Sequence, residues 1–318
     1  MNGKTILVTG GTGSFGQQFI EDVLTLNPKK VIIFSRDELK QYDMSQRFKD
    51  KRLRFFLGDV RDRDRLMRAF EGVDYVVHAA ALKQVPAAEY NPFECIKTNV
   101  LGAQNVIEAA IDNGVQKVIA LSTDKAVNPT NLYGASKLCS DKLFVAGNTY
   151  SSITRFACVR YGNVIGSRGS VIPLFQKQKE TGTLTITDSR MTRFWLSLEQ
   201  AVDLVLTAFL EMKGGEIFVP KIPSMKILDL AIAIAPGCKI DTIGIRPGEK
   251  LHEVLIPMED AERTIEYSDY FVIQPNVMAD ARMDWGVKLK RSNLYADFTY
   301  ASDTNHQWLT EEELKCLL

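Results

Sequence analysis

One short stretch of the sequence carries hydroxyl, carboxyl, ammonium and phenol groups, each of which can hold or move a proton. The side chains are those of Thr123, Asp124, Lys125, Tyr133 and Lys137. Residues 118–121 are apolar and predict a buried strand, and residues 132–145 predict a helix. The first three groups then follow a strand end, where open α/β sheets bind ligands. Tyr133 and Lys137 are one helical turn apart and share a face. We therefore expect the rest of the chain to bring a cofactor and a substrate to this stretch.

The overall composition is that of an ordinary globular protein. The chain has 318 residues, 45% of them hydrophobic, which is enough for one large or two closely associated domains. Lys plus Arg and Asp plus Glu each number 39, so we expect no nucleic acid and no membrane among the partners. Five scattered cysteines without a CxxC pair indicate reduced thiols in a cytoplasmic protein, and three widely separated histidines give no indication of a metal site.

A glycine-rich turn follows the first predicted strand, residues 4–9, and precedes an amphipathic helix that extends to about Leu26. Glycines let backbone amides approach a pyrophosphate, and the N-terminus of a helix carries a partial positive charge. This context predicts a dinucleotide-binding loop. Its expected cofactor contacts are Gly10, Thr12, Gly13, Ser14, Phe15 and Gly16.

The end of the second predicted strand bears on the choice of cofactor. Residues 31–34 form this strand, and Ser35, Arg36 and Asp37 follow it. An arginine at this place accommodates the 2′-phosphate of NADP, whereas an acidic residue binds the ribose hydroxyls of NAD. Asp37 can equally begin the next helix, so we favour NADP, with Ser35 and Arg36 as contacts. The alternative is that Arg36 is only a solvated surface charge.

Further strand ends supply more candidate cofactor contacts. Strands are predicted over residues 53–57 and 74–78, and a long helix over residues 92–113. Asp59 is placed either to meet the adenine or to cap a helix over residues 61–70. The alanines after the fourth strand would let the cofactor lie against the main chain. The candidates are Asp59, Val60, Ala79, Ala80, Ala81, Lys83 and Asn99, in addition to Tyr133 and Lys137.

The alternation of strands and helices becomes less regular after about Gly162. Strands are predicted over residues 154–159, 216–219 and 240–245, and helices over residues 175–181 and 224–235. A further helix is predicted to begin at Ser197, where Ser197 and Gln200 form a capping box. Glycine-rich residues 166–171 predict a substrate loop. We expect two interleaved domains: a cofactor domain over residues 1–165 with a returning segment around 195–220, and a substrate domain over residues 166–194 and 221–318.

The glycine-rich turn, residues 9–16, together with Tyr133 and Lys137 resembles the extended short-chain dehydrogenase/reductases that act on nucleotide sugars. The resemblance covers nearly the whole chain and implies an α/β fold, with a Rossmann-type doubly wound parallel sheet and a smaller, interleaved C-terminal substrate domain. Within this family, the sequence Thr-Asp-Lys at residues 123–125 is similar to the inverting UDP-N-acetylglucosamine 4,6-dehydratases of pseudaminic acid biosynthesis. The dTDP-glucose 4,6-dehydratases have Thr-Asp-Glu there. Residues 35–40, 78–83, 190–195 and 246–253 are similar to the same inverting group.

The resemblance implies a lyase reaction in which NADP is regenerated each cycle. Tyr133 would take the proton of the sugar's 4-hydroxyl while hydride passes to NADP⁺, and Lys137 and the nicotinamide would lower the pKa of the phenol. Thr123 would hydrogen-bond that hydroxyl. Lys125 would remove the carbon-5 proton if burial lowers the pKa of its amine, and protonated Asp124 would donate to the leaving 6-hydroxyl. Hydride would return to carbon 6, and a proton returning to the opposite face of carbon 5 would invert that centre.

The resemblance also implies how the substrate is held. Arginines suit a diphosphate because the guanidinium group can bind two oxygens at once. The expected contacts to UDP-N-acetylglucosamine are Lys83, Lys125, Asn163, Val171, Arg193, Arg246 and Glu249. A homo-oligomer, with a hexamer as one form, is implied as well.

Several alternatives remain open at this point. Asp124 and Lys125 alone are typical of a surface ion pair, and only Tyr133 and Lys137 make the catalytic interpretation preferable. A retaining 4,6-dehydratase or a UDP-sugar 4-epimerase would have the same fold. The membrane-anchored retaining enzymes differ from this chain in carrying an N-terminal membrane region and lacking the tyrosine. A non-catalytic NADP-sensing protein would not need the Tyr133–Lys137 pair.

Overall fold

The first part of the chain alternates strands with helices, as the sequence predicts. The computed structural model describes residues 1–166, 171–275 and 293–317, with side chains described as far as residue 314. The elements are β1 (Thr5–Thr9), α1 (Ser14–Thr25), β2 (Lys30–Ser35), α2 (Glu38–Arg47), β3 (Leu53–Leu57), α3 (Arg63–Ala69), β4 (Tyr75–His78), α4 (Val85–Tyr90), α5 (Pro92–Ile96), α6 (Gly102–Asp112), β5 (Lys117–Leu121), α7 (Leu132–Gly147) and β6 (Arg155–Val159). A π-helical turn, Lys97–Leu101, joins α5 to α6 within the long helix that the sequence predicts.

The remaining elements are shorter. They are β7 (Asn163–Val164), α8 (Val171–Lys179), β8 (Thr183–Ile186), β9 (Thr192–Leu196), α9 (Leu198–Glu211), β10 (Ile217–Pro220), β11 (Ser224–Lys226), α10 (Ile227–Ile234), β12 (Lys239–Thr242), β13 (Val254–Ile256), β14 (Thr264–Glu266), β15 (Tyr270–Ile273), β16 (Tyr300–Ala301) and α11 (Glu311–Leu317). Two short 3₁₀ turns span Asp124–Ala126 and Met258–Arg263.

Nine strands form one large sheet in the order β14-β15-β10-β6-β5-β4-β1-β2-β3. Seven neighbouring strands, from β10 to β3, run parallel. The chain passes from β1 outward to β3 and then returns to β4 on the other side of β1, so the strand order reverses between β1 and β4. The predicted doubly wound parallel sheet is confirmed. Such a reversal leaves a crevice at the carboxyl ends of the strands, where open α/β sheets bind ligands.

The centre of this sheet is covered on both faces, which explains its continuous apolar strands. Ile6, Leu7 and Val8 of β1 are fully buried, and α1 and α9 pack together on one face. The capping box predicted for Ser197 and Gln200 is present at the start of α9. β1 is therefore a rigid support for the glycine-rich turn that follows it.

The later elements build a second, smaller core. Its buried residues include Phe175, Leu184, Trp195 and Leu230. The helix predicted over residues 224–235 begins three residues later, because residues 224–226 pair with β9 as β11. The strand predicted over residues 240–245 ends at Thr242, shortly before Gly244 adopts a left-handed φ of 87°.

Two strands from the late part of the chain belong to the large sheet. β15 pairs antiparallel with β10, and β14 pairs antiparallel with β15. Both lie within residues 221–318, which the sequence analysis gives to the substrate domain. The returning segment contributes β10 to the large sheet and α9 to the helices that pack against it.

Membrane-spanning helices and metal-binding clusters are both absent from the described residues. Within residues 1–166, 171–275 and 293–317, no helix combines the length and the apolar character needed to cross a bilayer. In the same part of the chain, no group of His, Cys, Asp and Glu residues is arranged to hold a metal ion.

Candidate active site

A cleft of about 590 Å³ opens at the carboxyl ends of β1 and β4, where the strand order reverses. It extends from the glycine-rich turn to the start of α7. The predicted site residues that line it are Gly10, Thr12, Gly13, Ser14, Phe15, Gly16, Ser35, Arg36, Asp59, Val60, Ala79, Ala80, Ala81, Lys83, Thr123, Lys125, Tyr133, Lys137 and Asn163. The predicted residues that do not line it are Asn99, Asp124, Val171, Arg193, Arg246 and Glu249.

The glycine-rich turn fits the pyrophosphate of a dinucleotide. Gly10 has a φ of 68°, and a Cβ atom there would lie 2.8 Å from the nitrogen of Ala80. A Cβ atom on Gly16 would lie 2.5 Å from the Cα of Gly11. α1 begins at Ser14, and its glycine N-cap provides no side chain to bind the first amides. These partially positive donors therefore remain available to an anion in the cleft.

The end of the cleft beside β2 and β3 is lined by Arg36 and Asp59, which form an ion pair at 3.4 Å. Asp37 caps α2, since its carboxylate accepts from the main-chain nitrogen of Lys40 at 3.0 Å. Asp62, and not Asp59, caps α3. Asp37 is thus engaged in a helix cap, although it also lines the cleft together with Arg36 and Asp59.

Asp124 and Lys125 form a close ion pair at the other end of the cleft. Asp124 is 0% exposed, and its Oδ1 accepts from Thr123 Oγ1 at 2.9 Å and from Lys125 Nζ at 3.0 Å. Its Oδ2 has no hydrogen-bond partner among the described residues. Lys125 lines the cleft and Asp124 lies behind it. The pair can therefore exchange a proton at the cleft wall.

The expectation that burial lowers the pKa of Lys125 is wrong. Burial does act in that direction, but the carboxylates of Asp124 and Glu253 outweigh it and raise the pKa of Lys125. Glu253 is 2% exposed, and its Oε1 lies 3.5 Å from Lys125 Nζ. Lys125 is therefore an ammonium ion held between two buried carboxylates.

Lys125 is a cation that lowers the pKa of the Tyr133 phenol, whereas the sequence analysis expects this effect from Lys137. Burial raises the pKa of the Tyr133 phenol to about 12, and the positive charge of Lys125 and a hydrogen bond with Thr123 counteract part of this rise. Lys137 is itself buried, which lowers the pKa of its amine, and the nearby carboxylate of Asp141 acts in the opposite direction. The effect on the phenol predicted for Lys137 together with the nicotinamide stays a prediction.

His78, at the end of β4, is a further titratable group in the cleft wall. Its Nδ1 lies 2.8 Å from the hydroxyl of Thr9, and its ring is buried. Burial and the charge of Lys137 lower the pKa of His78 to about 3. The imidazole is therefore neutral at physiological pH.

Asn99 positions the protein framework and does not reach the cleft. Its Oδ1 accepts from the main-chain nitrogen of Leu82 at 2.8 Å, and its Nδ2 donates to the Leu82 carbonyl at 2.9 Å. The same Nδ2 donates to Ser136 Oγ at 2.9 Å. These bonds tie the loop after β4 to α7, and the predicted cofactor contact is corrected to this role. Its neighbour Thr98 lines the cleft instead.

Arg193 also differs from the expectation of a diphosphate ligand. Both of its terminal nitrogens donate to main-chain carbonyls, at distances of 2.7–3.1 Å, and its side chain is buried. These bonds use three of the five N–H donors of the guanidinium, and the side chain does not line the cleft. The accepting carbonyls belong to Thr192, Lys250 and Leu251.

Of the remaining predicted substrate contacts, some line the cleft and others do not. Asn163 lines it, and the buried Oδ1 of its side chain has no hydrogen-bond partner within the described ranges. Arg246 is exposed and pairs with Glu249 at 3.7 Å. Val171 begins α8 and packs against the smaller core. Residues 167–170 of the predicted substrate loop lie outside the described residues.

Comparison with known proteins identifies the family of this chain. The model of the family described as polysaccharide biosynthesis protein matches residues 6–275. The chain belongs to this family. The chain is also 56% identical to a UDP-N-acetylglucosamine 4,6-dehydratase (inverting) from Campylobacter jejuni, over 98% of this chain and 96% of that protein. The resemblance drawn from the sequence is therefore confirmed.

Other members of this family and its structural relatives have different names. A UDP-glucose 4-epimerase from Rickettsia prowazekii is 50% identical over 85% of this chain and 82% of that protein. The X-ray structure of Pen from Bacillus thuringiensis has a TM-score of 0.89 and 40% identity, and covers 99% of this chain and 98% of that chain. A dTDP-glucose 4,6-dehydratase from Streptomyces venezuelae, with NAD and TYD bound, has a TM-score of 0.71 and 26% identity, over 78% of this chain and 86% of that chain. A nicotinamide cofactor is thus supported.

Three functional candidates in this family member escape the sequence analysis. Thr98 lines the cleft, and its buried Oγ1 has no partner in the described part of the chain. Glu253 and Lys250 lie beside the Asp124–Lys125 pair, although more than a hundred residues separate them in sequence. The one feature of the sequence that could have indicated Glu253 is its place at the end of residues 246–253. The charged residues of that stretch are typical of a solvated turn.

Proposed function

We propose that this chain is an inverting UDP-N-acetylglucosamine 4,6-dehydratase, an NADP-dependent hydro-lyase. The observation that carries the proposal is the convergence of Asp124, Lys125 and Tyr133 at one end of the cleft. These residues provide an acid, a base and a proton acceptor for alcohol oxidation. The 56% identity to the inverting dehydratase of Campylobacter jejuni supports the same function.

The first half of the reaction is oxidation at carbon 4 of the sugar. Tyr133 accepts the proton of the 4-hydroxyl, and Thr123 orients that hydroxyl. A bound nicotinamide supplies the acceptor for the carbon-4 hydride and later the hydride for carbon 6. The ammonium of Lys125 favours the phenolate form of Tyr133 that this step requires, since it lowers the pKa of the phenol against the effect of burial.

The Asp124–Lys125 pair carries the single proton that elimination needs. Transfer of that proton across the 3.0 Å contact converts the ion pair into a neutral amine and a carboxylic acid. The amine then takes the proton from carbon 5, which the 4-ketone has acidified, and the acid gives its proton to the hydroxyl that leaves carbon 6 as water. A double bond forms between carbons 5 and 6. Lys125 ends as an ammonium and Asp124 as a carboxylate.

Completion of the reaction sets the stereochemistry. Hydride adds to carbon 6, and a solvent proton adds to carbon 5 from the face opposite to the one from which Lys125 removed it. Tyr133 returns the proton of the 4-hydroxyl to solvent, so the protons balance. The product is UDP-2-acetamido-2,6-dideoxy-β-L-arabino-hexos-4-ulose, the first intermediate of pseudaminic acid synthesis. We propose that the chain makes this product in the cytoplasm as a homo-oligomer, with a hexamer as one form.

The proposed ligand contacts follow from the cleft lining. NADP is proposed over NAD because Arg36 lines the end of the cleft beside β2, where the adenosine would lie, and because the carboxylate of Asp37, which lines the cleft as well, is already used to cap α2. Lys83 and Asn163 are proposed to hold the UDP-sugar, since both line the cleft and Asn163 has a buried oxygen without a partner in the described residues. Residues 166–194 and 221–318 would surround the sugar, with β14 and β15 as the part that belongs to the large sheet.

A 4-epimerase is the second candidate, favoured by the 50% identity to the Rickettsia protein of that name. It would use Tyr133 and Lys137 to oxidise and reduce carbon 4. It would have no use for an acid and a base next to each other at residues 124 and 125.

One experiment distinguishes these candidates. The purified protein is incubated with NADP⁺ and UDP-N-acetylglucosamine in heavy water, and the product is analysed by NMR. We expect a 4-keto-6-deoxy sugar with deuterium at carbon 5 and the L-arabino configuration. A D-configured keto sugar would indicate a retaining dehydratase, a 4-epimer without deuterium would indicate an epimerase, and unchanged sugar with bound NADP would indicate a sensor.

A further inference from the structure

Glu253 is a buried carboxylate whose main chain is fixed independently of its charge. It lies directly before β13 and is 2% exposed. Its N–H donates to Ser302 Oγ at 2.9 Å, and its carbonyl accepts from the Ser302 nitrogen at 2.8 Å. Since Ser302 directly follows β16, the pairing of β13 with β16 fixes the position of Glu253.

The carboxylate of Glu253 is surrounded by three cations but bound tightly by none of them. Its Oε1 lies 3.5 Å from Lys125 Nζ and 3.8 Å from Arg193 Nε. Its Oε2 lies 3.6 Å from Lys250 Nζ and has no hydrogen-bond partner within the described residues. A buried carboxylate oxygen without a hydrogen bond is uncommon and costs free energy, so it calls for a functional explanation.

Two of the three cations are fixed by main-chain carbonyls. Arg193 donates to the carbonyls of Thr192, Lys250 and Leu251, and Lys250 donates to the carbonyl of Val127. Lys125 is the one of the three that lines the cleft. Its ammonium has no main-chain acceptor among the described contacts, and it lies between Asp124 at 3.0 Å and Glu253 at 3.5 Å. Arg193 and Lys250 are therefore held by the main chain, and Lys125 is the cation on which Glu253 can act.

We propose that Glu253 is a positioning residue that holds the Lys125 ammonium beside the phenol of Tyr133, so that one lysine serves both the oxidation at carbon 4 and the proton removal at carbon 5. The proposal rests on the proposed function. During oxidation the ammonium stabilises the developing phenolate. Afterwards Lys125 passes its proton to Asp124 and becomes the base, and Glu253 sets how readily that transfer occurs.

The charges around Lys125 determine the direction of the effect. Asp124 and Glu253 favour the ammonium, whereas Arg193 opposes it, and the lysines at positions 83 and 250 are close enough to be affected by its charge. Removing the charge of Glu253 would lower the pKa of Lys125, and removing that of Lys250 would raise it. The charged and titratable groups facing Lys125 are Lys83, Asp124, Tyr133, Arg193, Lys250 and Glu253.

The test uses two variants of the full chain with opposite expected shifts. Glu253→Gln and Lys250→Gln are each loaded with NADP⁺ and mixed with UDP-N-acetylglucosamine in single-turnover experiments. Absorbance at 340 nm follows the first hydride transfer, and NMR in heavy water follows deuterium at carbon 5 across a pH series. For Glu253→Gln we expect hydride transfer to slow about tenfold and the alkaline loss of deuterium uptake, where the Asp124–Lys125 pair gives up its single proton to solvent, to move about one unit to lower pH. For Lys250→Gln we expect that loss to move to higher pH.

Glu216→Gln is the matched control. Glu216 is also buried, at 7% exposure, and its carboxylate accepts from the main-chain nitrogens of Lys213 and Gly214, away from the cleft. This variant is expected to lower the melting temperature without moving the pH profile.

Each outcome decides between the alternatives. A wild-type profile in Glu253→Gln, or shifts of both variants in the same direction, overturns the inference while leaving the dehydratase function intact. If Glu253→Gln does not fold, Lys250→Gln decides by the direction of its shift. If the wild-type protein forms no deuterated keto sugar, the proposed function is rejected and the inference with it.

Discussion

Replacing Lys125 by Met would separate the oxidation at carbon 4 from the elimination. The methionine keeps a flexible apolar side chain of similar length and removes the amine that is proposed as the carbon-5 base. General bases contribute about 10²–10⁴-fold to a rate, so we expect kcat for dehydration to fall by that factor. The first hydride transfer would slow less, because Tyr133 and Thr123 remain and only the favourable charge beside the phenol is lost.

The same substitution also has a cost in stability that follows from the geometry. Lys125 Nζ lies 3.0 Å from a fully buried carboxylate, and at an effective dielectric constant of about 20 their attraction is roughly 5 kcal/mol. Much of that attraction offsets the desolvation of the two charges. Leaving Asp124 buried without its cation should therefore lower the free energy of unfolding by about 3 kcal/mol.

Three measurements on Lys125→Met check these expectations. They are the amplitude of the 340 nm transient in a single turnover, deuterium at carbon 5 by NMR, and the urea midpoint. Lys117→Met is the control, since Lys117 lies at the opposite end of β5 and donates to the Phe209 carbonyl at 2.6 Å. Deuterium uptake at the wild-type rate in Lys125→Met would refute Lys125 as the base. An unchanged urea midpoint would refute the account of the buried pair.

Three further predictions concern the cofactor half of the cleft and the framework behind it. The pKa of His78 is lowered from 6.5 to about 3, so this group makes the wild type lose about 1.4 kcal/mol of unfolding free energy per pH unit as pH falls from 6.5 towards that lowered pKa. His78→Gln should abolish this loss, and urea midpoints at several pH values measure it. Arg36→Ser should weaken NADP binding about tenfold or more and leave NAD binding nearly unchanged, measured by calorimetric titration; equal losses for both would contradict the assignment. Asn99→Ala should lower the free energy of unfolding by about 2–3 kcal/mol, because the N–H and C=O of Leu82 lose their partner; thermal unfolding measures this, and wild-type stability would contradict it.

The features that the sequence predicts well depend on local signals. The apolar run of β1, the glycines after it and the spacing of Tyr133 and Lys137 each specify their geometry within a few residues. The capping box at Ser197 is equally local. These signals suffice for the parallel sheet and for most of the cleft lining.

The features that the sequence analysis misses depend on contacts between distant segments. Nothing near Arg193 in the sequence indicates a hydrogen-bond partner, but in the fold its guanidinium donates to the carbonyls of residues 250 and 251. The raised pKa of Lys125 depends on Glu253, which only the folding of β13 against β16 brings near. Asparagine is a residue type that often contacts ligands, but the amide of Asn99 forms hydrogen bonds with Leu82 and Ser136.

The late strands β14 and β15 have a consequence for how the chain is made. The large sheet starts at residue 5, and its last strand to be synthesised, β15, ends at Ile273. Until then β10 would be an open edge on the ribosome, with Ile217, Phe218 and Val219 exposing unpaired main-chain groups. Long-range pairing of this kind folds slowly. A product truncated before residue 264 would retain the whole dinucleotide loop, yet would be prone to aggregate through the edge of β10.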